Sequence, residues 1–159
     1  MTQIDVRKAQ SFDAGAMVSL LNDIIAAGGM TALTTSVTSA DLRDWMHESG
    51  AWHLAEVGGD ICGFQWIGPH VDLAPDTCDI ATFVALGQHG IGIGSALFRA
   101  TCAAARTLGY RRINAVIHAD NGGGLAYYRS RGFETVGHLK NLTLPDGRTV
   151  NKVITTYRL

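Results

Sequence analysis

The chain has 159 residues, of which 47% are hydrophobic and 17% charged, so its composition is that of a folded globular protein and excludes a disordered one. Its length suits a single domain, which we expect to span residues 1–159. Thirteen basic residues oppose fourteen acidic ones, and the formal net charge of −1 offers no basic excess for a phosphate backbone. We therefore predict that the protein has no nucleic-acid partner.

The chain lacks the sequence features of exported, membrane-spanning and metal-binding proteins. No stretch approaches about 18 uncharged apolar residues, and the N-terminal segment has no apolar core of a signal peptide. Cys62, Cys78 and Cys102 are widely spaced without a Cys-x-x-Cys pair, so we expect small buried side chains there. The six histidines have no metal-ligand spacing. These features predict a cytoplasmic protein with no membrane contact and no metal site.

The hydrophobic pattern predicts strands where apolar and polar residues alternate and helices where apolar residues recur every three or four positions. In chain order, the predicted elements are a strand at 4–7, a helix that begins after Ser11 or Asp13 and ends at Gly28-Gly29, a helix that begins with the capping box Thr38–Asp41, strands at 52–57, 61–67 and 78–86, a helix at 95–108, a strand at 112–118, a helix at 124–130, and strands at 133–137 and 149–159. This order predicts one mixed α/β domain.

Glycines alternate in the loop that joins the strand at 78–86 to the following helix. Gly90, Gly92 and Gly94 leave backbone N–H groups unobstructed, and the helix adds its unpaired N–H groups and the positive end of its dipole. A Rossmann loop would need glycine where Ser95 stands, and a Walker A loop would need a lysine nearby. The loop therefore predicts a pyrophosphate site of another kind, and a simple flexible turn is the alternative.

Two motifs in the second half of the chain carry a family resemblance. The first is the segment His89-Gly90-Ile91-Gly92-Ile93-Gly94-Ser95-Ala96-Leu97, and the second consists of Asn121, Leu125, Tyr128, Gly132 and Phe133. The first resembles the acetyl-CoA-binding signature Q/R-x-x-G-x-G/A of the GCN5-related N-acetyltransferases (the GNAT superfamily), with His89 in place of Gln or Arg. The second fits that family's N-x-x-x-x-x-x-Y-x-x-x-G-F pattern. The order of strands and helices agrees as well, so the resemblance covers essentially the whole chain.

Other segments are similar to the phosphinothricin-acetyltransferase-like group of that superfamily. They are Asn22-Asp23, residues 31–35, Leu42 with Trp45, Gly68-Pro69, and Gly137-His138-Leu139. The resemblance implies a central, mostly antiparallel sheet that is splayed at the cofactor strand and flanked by helices. It also implies an enzyme that moves an acetyl group from acetyl-CoA to a primary amine by direct attack in a ternary complex, and, by analogy with relatives, a homodimer.

The resemblance also implies which residues bind the cofactor. The splayed strand would pair its backbone with the pantetheine arm and supply N–H groups to the acyl oxygen. The expected cofactor-binding residues are Phe83, Val84, Ala85, His89, Gly90, Ile91, Gly92, Gly94, Ser95 and Asn121.

Two residues are expected to carry the proton transfers. Tyr128 matches the family tyrosine that protonates the coenzyme A thiolate. Asp79 stands where the phosphinothricin-like group carries a glutamate considered its general base, and the shorter aspartate favours transfer through a water. His70 and His118 are the alternative bases because histidine titrates near neutral pH.

The acceptor is expected to be a small amine, such as an amino acid, an amino-acid analogue or another amine. Candidate acceptor-binding residues are Thr35, Trp66, His70 and His118. The loop 68–76 contains no arginine or lysine, and its Asp72 and Asp76 favour a cationic acceptor. A protein or peptide N-terminus is an alternative acceptor, and a non-catalytic acyl-CoA sensor is an alternative function.

Overall fold

The computed structural model describes residues 3–48 and 50–159, and within them the chain forms seven strands and four α-helices. In chain order these are β1 (Asp5–Lys8), α1 (Ala14–Ala27), α2 (Ser39–His47), β2 (Ala51–Val57), β3 (Asp60–Gly68), β4 (Thr77–Val84), α3 (Ile93–Thr107), β5 (Arg112–His118), α4 (Gly122–Arg131), β6 (Glu134–Thr143) and β7 (Thr149–Arg158). The predicted order of strands and helices is confirmed. None of the helices in these two ranges combines the length and the apolar character needed to cross a membrane.

The strands form one mixed sheet in the order β1-β2-β3-β4-β5-β7-β6. β4 and β5 are parallel, and the other neighbouring strands are antiparallel. The β4–β5 pairing runs from Thr77–Arg112 to Asp79–Asn114 and ends there, although both strands continue. The sheet therefore splits into a notch between residues 80–84 of β4 and 115–118 of β5. The predicted splay of a mostly antiparallel sheet is confirmed.

Helices cover both faces of the sheet. On one face, Leu21 of α1 and Leu42 of α2 are buried in a cluster with Phe64 of β3. On the other face, Phe98 of α3 and Tyr128 of α4 are buried in a cluster that includes residues of β3, β4 and β5. We call these the α1/α2 face and the α3/α4 face.

Alternation along β4 divides its side chains between the two faces. Cys78 and Ile80 are buried in the cluster of the α3/α4 face, whereas Phe83 packs against that of the α1/α2 face. Asp79 lies four positions before Phe83, an even number, so it projects from the same α1/α2 face. Thr82 lies one position before Phe83 and projects from the α3/α4 face. At the notch, β4 therefore presents a carboxylate on the α1/α2 face and a hydroxyl on the α3/α4 face.

A polar side chain caps α2, whereas no side chain caps α1. The predicted capping box of α2 is confirmed, since the Thr38 hydroxyl accepts from the Asp41 N–H at 3.1 Å and the Asp41 carboxylate accepts from the Thr38 N–H at 3.0 Å. Asp13 stands at the start of α1 but makes no cap bond to that helix. Its carboxylate instead accepts from Arg7 and from the Gln10 N–H, and the Arg7 guanidinium holds the Asp13 pKa below its usual range.

Some predicted boundaries move. The strand predicted at 133–137 extends from Glu134 to Thr143, because a hairpin with β7 supplies hydrogen bonds to residues whose exposed side chains give no alternating apolar pattern. β4 ends at Val84, two residues before the predicted boundary, because the Ala85 carbonyl accepts from the Gln88 N–H and turns the chain. The expectation for the cysteines is confirmed: Cys62, Cys78 and Cys102 are buried free thiols.

Candidate active site

The notch opens into a cavity of about 880 Å³. Its walls come from β4 and β5, from the loop 88–92, from the start of α3, and from α4. Residues 30–32, which follow α1, line it from the other face of the sheet. A ligand in the notch is therefore accessible from both faces.

The loop 88–92 and the first turn of α3 form a cradle of backbone donors. Gly90 and Gly92 have φ values of 84° and 95°, a left-handed conformation that side chains other than glycine rarely adopt. Gly92 is the N-cap of α3 without a side-chain cap bond, and the first hydrogen bond of the helix runs from the Ala96 N–H to the Gly92 carbonyl. The N–H groups of residues 93–95 are therefore available to an anion at the positive end of the helix dipole.

Gly94 is required for a different reason. Its backbone is helical, but a Cβ built on it would lie 2.6 Å from Cε1 of Tyr127, closer than real atoms approach. The Tyr127 hydroxyl donates to the Gly94 carbonyl at 2.8 Å, so the tyrosine ring lies directly on the cradle. The third glycine of the motif therefore makes room for α4 rather than for a left-handed turn.

Arg131 adds a positive charge beside the cradle. One of its guanidinium nitrogens (Nη1) donates to the Ser95 hydroxyl at 2.6 Å, and both residues line the cavity. His89 also lines it. Arg131 stands in the last turn of α4, and the sequence motif gives no signal that it would reach the start of α3.

The open edge of β4 supplies backbone groups to the notch. The Ala85 N–H donates to the Cys62 carbonyl of β3 at 2.8 Å, so alternate residues of β4 direct their backbone groups to β3. Val84 and Thr82 direct theirs to the opposite side, which is the notch. Of the three residues 83–85 expected to donate from the backbone, only Val84 therefore points its N–H into the notch.

Tyr128 approaches the notch from the α3/α4 face. Its side chain is 8% exposed, and its hydroxyl lies 2.7 Å from the Thr82 hydroxyl of β4. Burial raises the pKa of Tyr128 above that of a free phenol, and the hydrogen bond with Thr82 opposes part of that rise. Tyr128 therefore keeps its proton at neutral pH, and its side chain lines the cavity.

Asp79 lies at the closed end of the notch on the α1/α2 face. Its Oδ1 accepts from the Asn114 side-chain amide at 3.2 Å, across the last paired residues of β4 and β5. Burial raises the Asp79 pKa above the usual carboxyl range, while the Asn114 hydrogen bond and the charge of His70 act in the opposite direction. A carboxylate with a raised pKa is a better proton acceptor near neutral pH than an exposed one.

A model of the acetyltransferase (GNAT) family matches residues 20–133, which is most of the chain. The protein is a GNAT-family acetyltransferase. Enzymes of this family use acetyl-CoA, and this acetyltransferase has what that cofactor needs: a backbone cradle for the pyrophosphate and an unpaired strand edge for the pantetheine arm. The residues present therefore fit the cofactor.

Solved structures agree with this fold. The acetyltransferase superposes with a TM-score of 0.90 on a ribosomal-protein-alanine N-acetyltransferase from Brucella melitensis, with 25% identity and coverage of 98% of this chain and 99% of that one. A phosphinothricin acetyltransferase from Sinorhizobium meliloti, solved with acetyl-CoA, gives a TM-score of 0.89 at 20% identity, with coverage of 98% and 88%. An N-acetyltransferase from Staphylococcus aureus Mu50 gives 0.87 at 21% identity, with coverage of 98% for both chains. A search of curated protein sequences found no significant match.

The acetyltransferase brings most of the expected cofactor-binding residues to one cavity. The cavity is lined by Phe83, Val84, His89, Gly90, Gly92, Gly94, Ser95 and Asn121. Ala85 and Ile91 are not among its lining residues: Ala85 has turned its N–H to β3, and Ile91 is exposed. Asn121 uses its side-chain oxygen to cap α4, accepting from the Gly124 N–H at 3.0 Å.

The expected acceptor-binding residues divide into two groups. His118 lines the cavity, is 6% exposed, and has an Nε2 atom without a hydrogen-bond partner in the described part of the chain. Burial lowers the His118 pKa, which favours the neutral ring. His70 lies outside the cavity lining on an exposed loop, where its Nδ1 accepts from the Asp72 N–H at 3.1 Å. Thr35 is exposed, and Trp66 packs against Trp52, with ring centroids 6.1 Å apart.

The charges that surround the acceptor side differ from those expected. Asp72, whose side chain is 84% exposed, and Asp76 do not line the cavity, so the preference for a cationic acceptor drawn from them loses its basis. Lys152 of β7 lines it instead. Lys152 pairs with His118 across β5 and β7 and therefore shares its face of the sheet. This lysine was missed because its position depends on which strand β5 pairs with.

Proposed function

We propose that the protein acetylates the primary amine of a small molecule, with Asp79 as the base and Tyr128 as the acid. The observation that carries this proposal is the notch itself: Asp79 and Tyr128 reach it from opposite faces of the sheet, beside the cradle. A cytoplasmic location and a homodimer remain predictions from the sequence.

The roles follow from the position of each group. Acetyl-CoA supplies an activated acetyl thioester. Asp79 takes the proton of the ammonium group, directly or through a water, so that the amine becomes a nucleophile. The Val84 N–H is available to the acyl oxygen in the notch, where a fixed donor stabilises developing negative charge. Tyr128 holds the proton that the departing thiolate needs.

Ligand-dependent stability tests the cofactor part of this proposal. A ligand at 100 times its Kd stabilises the folded state by about 2.7 kcal/mol, so acetyl-CoA and coenzyme A should each raise the Tm by about 5–11 °C in a domain of this length. NAD, which also carries a pyrophosphate, is the control and should leave the Tm unchanged. Absence of a shift with acetyl-CoA would mean that the cradle does not bind it.

The position of Lys152 indicates which charge the acceptor carries. Asp79 pairs with Asn114, and Asn114 and His118 stand four residues apart on one face of β5, which is about 13 Å along a strand. Lys152 pairs with His118 and lines the same cavity as Asp79. This spacing favours an acceptor that carries a carboxylate several bonds from its amine. We therefore propose that the acceptor is an amine with a carboxylate several bonds away.

A panel of acceptors tests this narrower proposal. Glutamate should be a better acceptor than glutamine or a diamine of similar length, as measured by coenzyme A release. In Lys152→Gln the kcat/KM for glutamate should fall about tenfold or more, while that for the diamine should fall by less than twofold, because only the anionic group loses its partner. Lys140→Gln, a charge change on the exposed strand β6, is the matched control. Equal loss for both acceptors would contradict the role of Lys152.

A protein N-terminus is a second candidate acceptor, favoured by the similarity to the ribosomal-protein-alanine N-acetyltransferase. A peptide that begins with alanine belongs in the same panel. Faster acetylation of this peptide than of every small amine would favour the second candidate. Binding of acetyl-CoA without coenzyme A release from any acceptor would favour a sensor.

A further inference from the structure

A chain of hydrogen-bonding side chains runs behind the notch, between β3, β4 and α4. Gln65 of β3 is fully buried, and its side-chain amide nitrogen lies 2.8 Å from the Thr82 hydroxyl and 3.2 Å from the Tyr127 hydroxyl. The Tyr127 hydroxyl lies 2.8 Å from the Gly94 carbonyl, and the Thr82 hydroxyl lies 2.7 Å from that of Tyr128. We call these four side chains, Gln65, Thr82, Tyr127 and Tyr128, the hydroxyl chain.

The direction of these hydrogen bonds follows from counting protons, beginning at the cradle. A carbonyl oxygen only accepts, so Tyr127 gives its single hydroxyl proton to Gly94. The Tyr127 oxygen can then only accept from Gln65, and the amide atom that faces it is therefore the nitrogen, which carries two protons. The second proton of that nitrogen points to Thr82.

Thr82 consequently receives a hydrogen bond from Gln65 and has its own proton left to give. Within the part of the chain that the structure describes, the Tyr128 oxygen is the other hydrogen-bond partner of the Thr82 hydroxyl. We propose that Thr82 donates to the phenol oxygen of Tyr128 and so turns the Tyr128 proton into the notch. Thr82 is thus a positioning residue for the acid, and Gln65 sets its direction. This inference rests on the proposed role of Tyr128.

The arrangement serves the proton transfer in two ways. The Tyr128 proton moves from the phenol oxygen to the thiolate sulfur, and Thr82 keeps its own proton throughout. Before the transfer, the bond from Thr82 occupies the side of the phenol oxygen that faces β4, which leaves the proton directed to the cavity. After it, the same bond stabilises the phenolate that remains, which burial alone would disfavour.

Kinetics of Thr82 variants test this inference. Thr82→Val keeps the shape of the side chain and removes its proton, and we expect kcat to fall about tenfold or more with little change in the KM for acetyl-CoA. Thr82→Ser restores the hydroxyl and should recover most of that loss. In a Tyr128→Phe background, Thr82→Val should have less than a twofold effect, because it acts only through the phenol. Equal effects of Thr82→Val in both backgrounds, or no recovery by serine, would overturn the inference.

The position of the Tyr128 proton can also be read in the free protein, without turnover. Tyrosine labelled with ¹³C at Cζ gives resonances that split in a mixture of light and heavy water when the hydroxyl proton exchanges slowly. We expect splitting for Tyr127, whose proton is held by Gly94, and a single averaged line for Tyr128, whose proton faces the cavity. Variants Tyr127→Phe and Tyr128→Phe assign the two resonances. Splitting of the Tyr128 line would mean that Thr82 holds its proton and would overturn the inference.

The two proposals fail in different ways. Full activity of Tyr128→Phe would remove the acid role from Tyr128, whatever the resonances show. Loss of activity in Tyr128→Phe with full activity in Thr82→Val would keep the acid and remove only the positioning role of Thr82.

Discussion

Tyr128→Phe is expected to lower kcat by about 10²–10³-fold while leaving the Kd for acetyl-CoA within about twofold of the native value. The phenylalanine fills the same buried space between Thr82 and the aromatic cluster of α3 and α4, so the fold should be retained. What the variant loses is the proton that the departing thiolate requires. Steady-state kinetics with coenzyme A release, together with a binding titration of acetyl-CoA, separates the two quantities.

Tyr157→Phe is the matched control for this variant. Tyr157 lies against the same cluster, within 5.3 Å of the Phe133 ring by centroid distance, but it does not line the cavity. Removal of its hydroxyl should leave kcat unchanged. A Tyr128→Phe variant with full kcat against a good acceptor would contradict the assignment of the acid and would leave solvent as the proton source.

Asp79→Asn should lower kcat/KM at neutral pH by about 10²-fold or more, because the amide cannot accept the ammonium proton. The native pH–rate profile should lose activity as the pH falls through the pKa of the base. Burial raises the Asp79 pKa, so this loss should begin at a higher pH than an exposed aspartate would give. In Asp79→Asn the inflection at that pKa should disappear, and the residual rate should keep rising with pH until the acceptor's own ammonium group loses its proton.

Asp76→Asn supplies the control, because Asp76 is an exposed carboxylate of the neighbouring loop. An acidic limb that survives unchanged in Asp79→Asn would remove the aspartate as base. His118, which lines the cavity and keeps a neutral ring, would then be the first alternative, and loss of the limb in His118→Gln would identify it. His70 would follow, although its ring lies on an exposed loop.

The cofactor half of the site could be predicted from the sequence because its determinants are local. Gly90 and Gly92 adopt left-handed φ values that the loop needs, and the helix that follows supplies donors simply by beginning there. Tyr128, the proposed acid, is predicted in the same way, by a motif that spans one short helix. In each case, residues close in sequence determine the chemistry.

The acceptor half could not be predicted to the same depth. Asp72 and Asp76 lie in the loop just before β4, close in sequence to Asp79, but their side chains are exposed to solvent. Lys152 is far from Asp79 in sequence. It lines the cavity because β7 pairs with β5 in a register that places Lys152 opposite His118. Strand alternation predicts which side chains share a face within one strand, but it does not predict which strands are neighbours.

Local sequence patterns thus determined the order of strands and helices, the backbone cradle and the position of Tyr128, the proposed acid, because caps, glycine conformations and short motifs act over a few residues. Only the tertiary structure decided which residues contact these local elements. It placed Arg131 on Ser95, brought Gln65 and Thr82 behind Tyr128, and ended the pairing of β4 and β5 at Asp79 and Asn114. These contacts join residues between 17 and 46 positions apart, and they depend on sheet register and on helix packing over the whole domain.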